Sequence, residues 1–119
     1  MERGAYQIWT FGPALLNRNG EVLKEFNSGH WGNQPRAVLG YFEPGHYCLV
    51  VADGRSNSSI GVPYPKLAEL MKKIGCVQAY NMDGGKTAQL LCGGRTINNP
   101  ASGGRDCSDL IAFVDRVSD

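Results

Sequence analysis

The chain has 119 residues, 42% of them apolar, with 12 Lys and Arg against 11 Asp and Glu and a formal net charge of +1. That length fits one globular domain, 1–119, better than two. The near-neutral balance lacks the basic footprint of nucleic-acid binding, and no apolar run approaches the roughly 18 residues that a membrane-spanning helix needs. Residues 1–4 lack the apolar core of a secretory signal. Cys48, Cys76, Cys92 and Cys107 include no C-x-x-C pair, and no histidine stands at metal-ligand spacing, so no metal site is expected. Cys48 and Cys76 sit among apolar residues and read as buried thiols, whereas an oxidising compartment would permit a Cys92–Cys107 bridge.

Residues 6–11, aromatic and β-branched, predict a strand that Gly12-Pro13 breaks. The Asn19-Gly20 turn signal followed by residues 21–26 predicts a β-hairpin. A polar loop then carries His30, Trp31, Asn33 and Gln34, a composition suited to stacking against a sugar but more often merely that of an exposed loop. Residues 36–42 predict a strand, and Pro44-Gly45 turns the chain into residues 47–52. The unbroken apolar run of the latter predicts a central strand buried on both faces. Leu67, Leu70, Met71 and Ile74 recur at the i, i+3, i+4, i+7 spacing of one helical face, which predicts an amphipathic helix over 65–74. Pro65 suits its first turn, Lys72 and Lys73 its C-terminal dipole end, and Gly75 the left-handed residue beyond it. Residues 77–82, 87–92 and 109–114 predict three further strands separated by glycine-rich loops. The fold class is α+β: a mixed, mostly β sheet with one main amphipathic helix packed on it.

Polar residues cluster where these strands give way to glycine turns: Asp53-Gly-Arg55, Asn81-Met-Asp83-Gly-Gly-Lys86-Thr87 and Gly103-Gly-Arg105, with Pro35-Arg36 opening a strand. Loops held by a rigid sheet are where binding and catalytic groups concentrate. Each motif also has a plainer explanation. Asp-Gly is an ordinary turn dipeptide, an adjacent arginine can pair with a surface carboxylate, and residues 81–85 can form an Asx-type turn with Asp83 capping backbone N–H groups. Gly-Gly-Lys-Thr does not make a phosphate loop, because Tyr80 stands where that motif needs its first glycine and a strand pattern rather than a helix follows. G-x-S-x-G and H-E-x-x-H are both missing, and neither histidine has a Ser or Cys partner at a recognisable spacing, which argues against seryl and zinc hydrolases.

The order of the motifs says more than any one of them. Trp-Thr-Phe-Gly-Pro, Pro-Arg-Ala-Val-Leu-Gly, Val-Val-Ala-Asp-Gly-Arg, a helix, Asn-Met-Asp-Gly-Gly and Gly-Gly-Arg follow one another in a way that resembles the phosphodiester glycosidase domain family over about residues 9–114. The resemblance implies cleavage of a sugar-1-phosphodiester, releasing a sugar such as N-acetylglucosamine, with a phosphate-linked or polysaccharide substrate; no cofactor is expected. It also implies an extracytoplasmic or secreted setting, since bacterial members are associated with exopolysaccharides. Carried onto this sequence, it makes Asp83 the carboxylate facing the anomeric carbon, with Asp53 as second choice. Arg36, Arg55 and Arg105 become a guanidinium clamp on phosphate, since planar forks grip phosphate oxygens in pairs. Asn81 would hold a sugar hydroxyl or orient Asp83, and Gly84, Gly85, Lys86 and Thr87 would line the phosphate. Lys86 stands where the family has a third glycine, Thr87 where it has serine, and Asp106 where proline is common.

The family domain carries further strands before Trp-Thr-Phe-Gly-Pro, so the chain resembles its C-terminal two-thirds. A sheet deprived of neighbours leaves an open edge, which predicts a homodimer or larger assembly pairing through the first segment, with Trp9, Phe11, Leu15 and Leu16, some of that surface burying instead against the chain's own core. Two other functions compete with catalysis: a non-catalytic carbohydrate or phosphosugar binding module, and a purely structural interaction domain.

Overall fold

The computed structural model describes residues 4, 8 and 10–115. The strand predicted over 6–11 therefore lies largely outside the described residues, as does Trp9, while Phe11 is exposed and not in a strand. The sheet is built on β1 (Arg36–Glu43), whose β-favouring residues pair on both sides. The Pro44-Gly45 turn folds β2 (His46–Ala52) back along one edge, and β3 (Gln78–Asn81) lies antiparallel along the other, giving the order β2–β1–β3. Leu39 stands opposite Leu49 and Tyr80, and Gly40 opposite Cys48 and Ala79.

Alternation along β1 sorts the two faces. Arg36, Val38 and Gly40 are buried, whereas Ala37, Leu39 and Tyr41 are only half-buried. Beyond β3 the sheet is extended by residues 12–15. Gly12 N–H donates to Asn81 O at 3.0 Å, Asn81 N–H to Pro13 O at 3.0 Å and Leu15 N–H to Ala79 O at 2.9 Å.

Helix α1 (Tyr64–Ile74) covers the inner face. Lys72 and Lys73 occupy its last turn, and Gly75, at φ 108°, takes the left-handed position and donates its N–H to Lys72 O. The buried stripe is Tyr64, Leu67, Ala68 and Met71, while Leu70 and Ile74 are 39% and 43% exposed. The face is therefore rotated from the predicted one. Contact with the sheet centres on Leu67 and Met71, and Leu70 and Ile74 flank that line. Leu15, Phe26, Val38 and Ala79 complete the core with them.

Several expectations are corrected. β2 is an edge strand, not the central one, and it is half-buried with Tyr47 45% exposed. Its apolar run serves two unequal faces: Cys48 and Val50 pack toward the core, while Tyr47 lines a shallow groove with Leu39, Tyr41 and Tyr80. The hairpin over 17–26 is a tight turn rather than two strands. Asn17 Oδ1 accepts from Asn19 N–H and Glu21 N–H at 2.8 and 3.0 Å, and a single bridge joins Leu16 to Val22. Residues 87–92 yield only β4 (Leu91–Cys92), which pairs with β5 (Arg95–Thr96) across Gly93-Gly94. Residues 109–114 form no strand, and Leu110, Phe113 and Val114 are 83%, 60% and 84% exposed. All four cysteines are free, so Cys92 and Cys107 are not bridged. Among the described residues no helix is long and apolar enough to cross a membrane.

Candidate active site

Because β2 and β3 both run antiparallel to β1, their C-terminal ends emerge side by side at the end of the sheet where β1 begins. The Asp53 loop and the Met82–Thr87 loop therefore start as neighbours. Met82 N–H donates to Ala37 O at 2.8 Å and Gly85 N–H to Pro35 O at 3.1 Å, which pins the second loop to the start of β1. The approach is so close that a Cβ on Gly84 would stand 2.5 Å from Pro35 O, so only glycine fits there. A 3-10 turn, Gly85–Thr87, follows, with Thr87 Oγ1 donating to Gly84 O at 2.7 Å. It packs against a second short turn, Ala101–Gly103, which delivers Arg105.

Asp83 is 54% exposed, and its Oδ2 lies 3.6 Å from Arg105 Nη2. A solvent-exposed pair of this kind stabilises by only about 0–1 kcal/mol, so both groups stay free to engage a ligand. Arg55 adopts φ 56°, donates from Nε to Gln34 Oε1 at 2.9 Å, and lays its guanidinium over Gly85, with Nη2 3.2 Å from where a Cβ would stand. Lys86 is exposed and makes no ion pair among the described residues.

Asp53 is held much more tightly. Its Oδ1 accepts from Asn98 Nδ2 at 3.0 Å and from Asn99 N–H at 3.1 Å, and its Oδ2 accepts the same N–H at 3.2 Å. Asn98 also donates to Ala88 O at 2.8 Å and accepts Leu90 N–H at 2.8 Å, so one side chain ties the loop after β2 to the segment after the 3-10 turn. Gln89 Nε2 donates to Arg105 O at 2.8 Å.

Two predicted site residues lie beneath this surface. Arg36 is 4% exposed. Its Nε donates to Val62 O at 2.8 Å, its Nη2 donates to His30 O and Gly32 O at 2.6 Å each, and its guanidinium stacks 3.9 Å over the Tyr64 ring. Burial pulls its pKa below the usual arginine value, and neighbouring Tyr64 partly offsets that shift. Asn81 is 2% exposed, and its Nδ2 donates to Gly12 O at 3.1 Å rather than to Asp83, while its buried Oδ1 has no partner among the described residues.

The structure thus brings Asp53, Arg55, Asp83, Gly84, Gly85, Lys86, Thr87 and Arg105 to one loop cluster, with Arg36 and Asn81 buried in the framework below. Trp31 is partly exposed, donates from Nε1 to Phe26 O at 3.1 Å and packs edge-on to the Phe26 ring. Sequence reasoning missed Asn98, Asn99 and Gln89 as supports. Asn98-Asn-Pro reads as a turn, and its partner Asp53 lies far away in sequence. Among the described residues no group of three or more His, Cys, Asp or Glu could hold a metal ion.

This arrangement of a β-dominated sheet with acidic and guanidinium groups on its end loops is accompanied by a direct family match. The model of the phosphodiester glycosidase family matches residues 1–114, and the chain belongs to that family. It is 33% identical over 107 residues to the SPbeta prophage-derived uncharacterized protein YomE of Bacillus subtilis (strain 168), covering 87% of this chain and 16% of that protein. Its fold is similar to that in the crystal structure of a hypothetical protein from Synechocystis, with a TM-score of 0.65 and 23% identity, covering 79% of this chain and 18% of that one. The chain therefore spans less than a fifth of the length of either relative.

Proposed function

We propose that this chain contributes a loop cluster that cleaves a sugar-1-phosphodiester, releasing a sugar such as N-acetylglucosamine and leaving a phosphate monoester. The observation that carries the reading is the half-exposed Asp83 carboxylate beside Arg105, on the loop whose Gly85 lies under the Arg55 guanidinium. Family membership supports the reaction class.

Breaking the bond between the anomeric carbon and the phosphate oxygen develops positive charge on the sugar and negative charge on the departing phosphate. Asp83 faces the anomeric carbon, as nucleophile or as base for the incoming water. Arg55, Arg105 and Lys86 offset the phosphate charge, with Arg55 held over Gly85 of the same loop. Asp53, oriented by Asn98 and Asn99, is the second carboxylate of the site. In this reading Arg36 acts through the framework: it is buried and its Nε and Nη2 are engaged by three carbonyls, so the clamp consists of the other two arginines. Phosphate monoester is a good leaving group, which lowers the demand for a strong general acid.

The test is incubation with UDP-N-acetylglucosamine and with simple N-acetylglucosamine-1-phosphodiesters, monitoring free sugar. Release of N-acetylglucosamine at a rate proportional to protein supports the reading, and none from any of them counts against it. Lys86, exposed and without an ion pair among the described residues, also favours a second reading, a carbohydrate or phosphosugar binding module, which binding of these compounds without turnover would select. Leu15 and Leu16, expected at a dimer seam, are buried in the core, while Phe11 is exposed; the homodimer belongs to the same proposal, and light scattering giving a monodisperse 12.9 kDa species at micromolar concentration would remove it.

A further inference from the structure

We propose that Cys48 and Cys76 are a redox pair, which a small disulfide in solution converts into an intrachain disulfide stapling edge strand β2 to the junction between α1 and β3. Their sulfurs are 3.7 Å apart although the residues are 28 positions apart in sequence. They meet directly over Gly40 of the strand between them. A Cβ at residue 40 would stand 2.6 Å from the Cys48 sulfur and 2.7 Å from the Cys76 sulfur, so the missing side chain is the space in which the pair meets. Cys48 is paired with Gly40 across β1 and β2, and Cys76 follows Gly75, the left-handed residue that ends the helix. The two residues flank β1 from opposite sides, and a bond of about 2.05 Å draws their sulfurs together over Gly40, where no side chain intervenes.

The two thiols are unequally accessible: Cys48 is half-buried and Cys76 is 4% exposed. That difference orders the chemistry. The Cys48 thiolate attacks one sulfur of a small disulfide such as oxidised glutathione, forming a mixed disulfide and expelling one glutathione thiolate. The Cys76 thiolate then attacks the Cys48 sulfur and expels the second. Two electrons pass from the protein thiols to the small disulfide, and the two thiol protons end on the two released glutathione molecules. The staple lies at the start of β2 and before β3, whereas the candidate site lies beyond the opposite ends of those strands. It therefore changes stability without touching the site residues.

Cys92 and Cys107 are exposed and would obscure the readout, so the protein carrying Cys92→Ser and Cys107→Ser is incubated with oxidised glutathione and analysed intact. The expected result is a loss of two hydrogens, about 2 Da, a peptide linking Cys48 to Cys76 in a non-reducing digest, and a melting temperature raised on the order of 10 °C that dithiothreitol reverses. With Cys48→Ser added, the mass loss and the shift both vanish. Recovery of Cys48 and Cys76 only as free thiols or glutathione adducts, in protein that keeps its native circular dichroism, would overturn the proposal.

Discussion

Replacing Arg36 separates a framework residue from a ligand clamp. The guanidinium makes three charge-assisted hydrogen bonds, to Val62 O at 2.8 Å and to His30 O and Gly32 O at 2.6 Å, and stacks 3.9 Å over Tyr64. In Arg36→Met all three carbonyls lose their donor, at about 1 to 1.5 kcal/mol each, and the cation–π contact is lost at about 1 kcal/mol. Water reaching the exposed His30–Gly32 loop and relief of the buried charge return part of this. The net cost is about 3 kcal/mol, which lowers the melting temperature by about 10 °C in a domain of this size. Arg36→Lys should recover only part of the loss, because a point charge cannot reach three carbonyls and stack on a ring at once. Calorimetry or thermal circular dichroism reads the shift, and titration with a sugar phosphodiester below the melt reads affinity. A melting temperature within about 2 °C of wild type, together with a tenfold or greater loss of affinity, would refute the framework role and return Arg36 to the clamp.

Asn98→Ala removes two donors and an acceptor that join the Asp53 loop to Ala88 and Leu90. It should destabilise the protein by about 2 kcal/mol, and chemical denaturation would detect this. Gly84→Ala forces a methyl against Pro35 O and should cost on the order of 2 kcal/mol or more while displacing the Asp83 loop, a change visible as weakened amide protection at Gly85. Burial, with neighbouring Cys48 adding to it, pushes the Cys76 thiol up to about 11. A pKa raised in the folded state gives stability that is complete below about pH 9 and lost as pH climbs toward 11. Reduced wild type should therefore lose on the order of 2 kcal/mol more than Cys76→Ser across that window in urea denaturation, and parallel curves would contradict the burial argument.

Local periodicity made much of this fold readable. The helix follows from Leu67 and Met71 one turn apart with Gly75 behind them, and β1, β2 and β3 fall where β-branched and aromatic residues gather. What periodicity does not carry is which strand is central. An apolar run such as residues 47–52 looks the same in the middle of a sheet and on an edge whose second face lines a groove. Residues 109–114 have strand composition, but strand formation needs a pairing partner, and among the described residues none is offered. Arg36 illustrates a signal that was present and unused. It shares strand parity with Val38 and Gly40, so its side chain points toward the helix, where a charge needs internal partners. Asp53, Arg55 and Asp83 were legible as polar residues beyond strand ends, whereas Arg105 follows the short turn Ala101–Gly103 instead. Their supports, Gln34 and Asn98, were not, because nothing local marks an amide that bonds across loops.

The most direct test of the proposed chemistry is sugar release by Asp83→Asn, with N-acetylglucosamine-1-phosphodiester at saturating concentration. Asparagine keeps the shape of the side chain, and the exposed ion pair with Arg105 contributes little to folding, so the melting temperature should stay within about 3 °C of wild type. If Asp83 faces the anomeric carbon, loss of its charge removes the nucleophile or base, and release should fall by at least about a thousandfold with binding of the phosphodiester retained. Release within threefold of wild type from a folded variant would contradict that role.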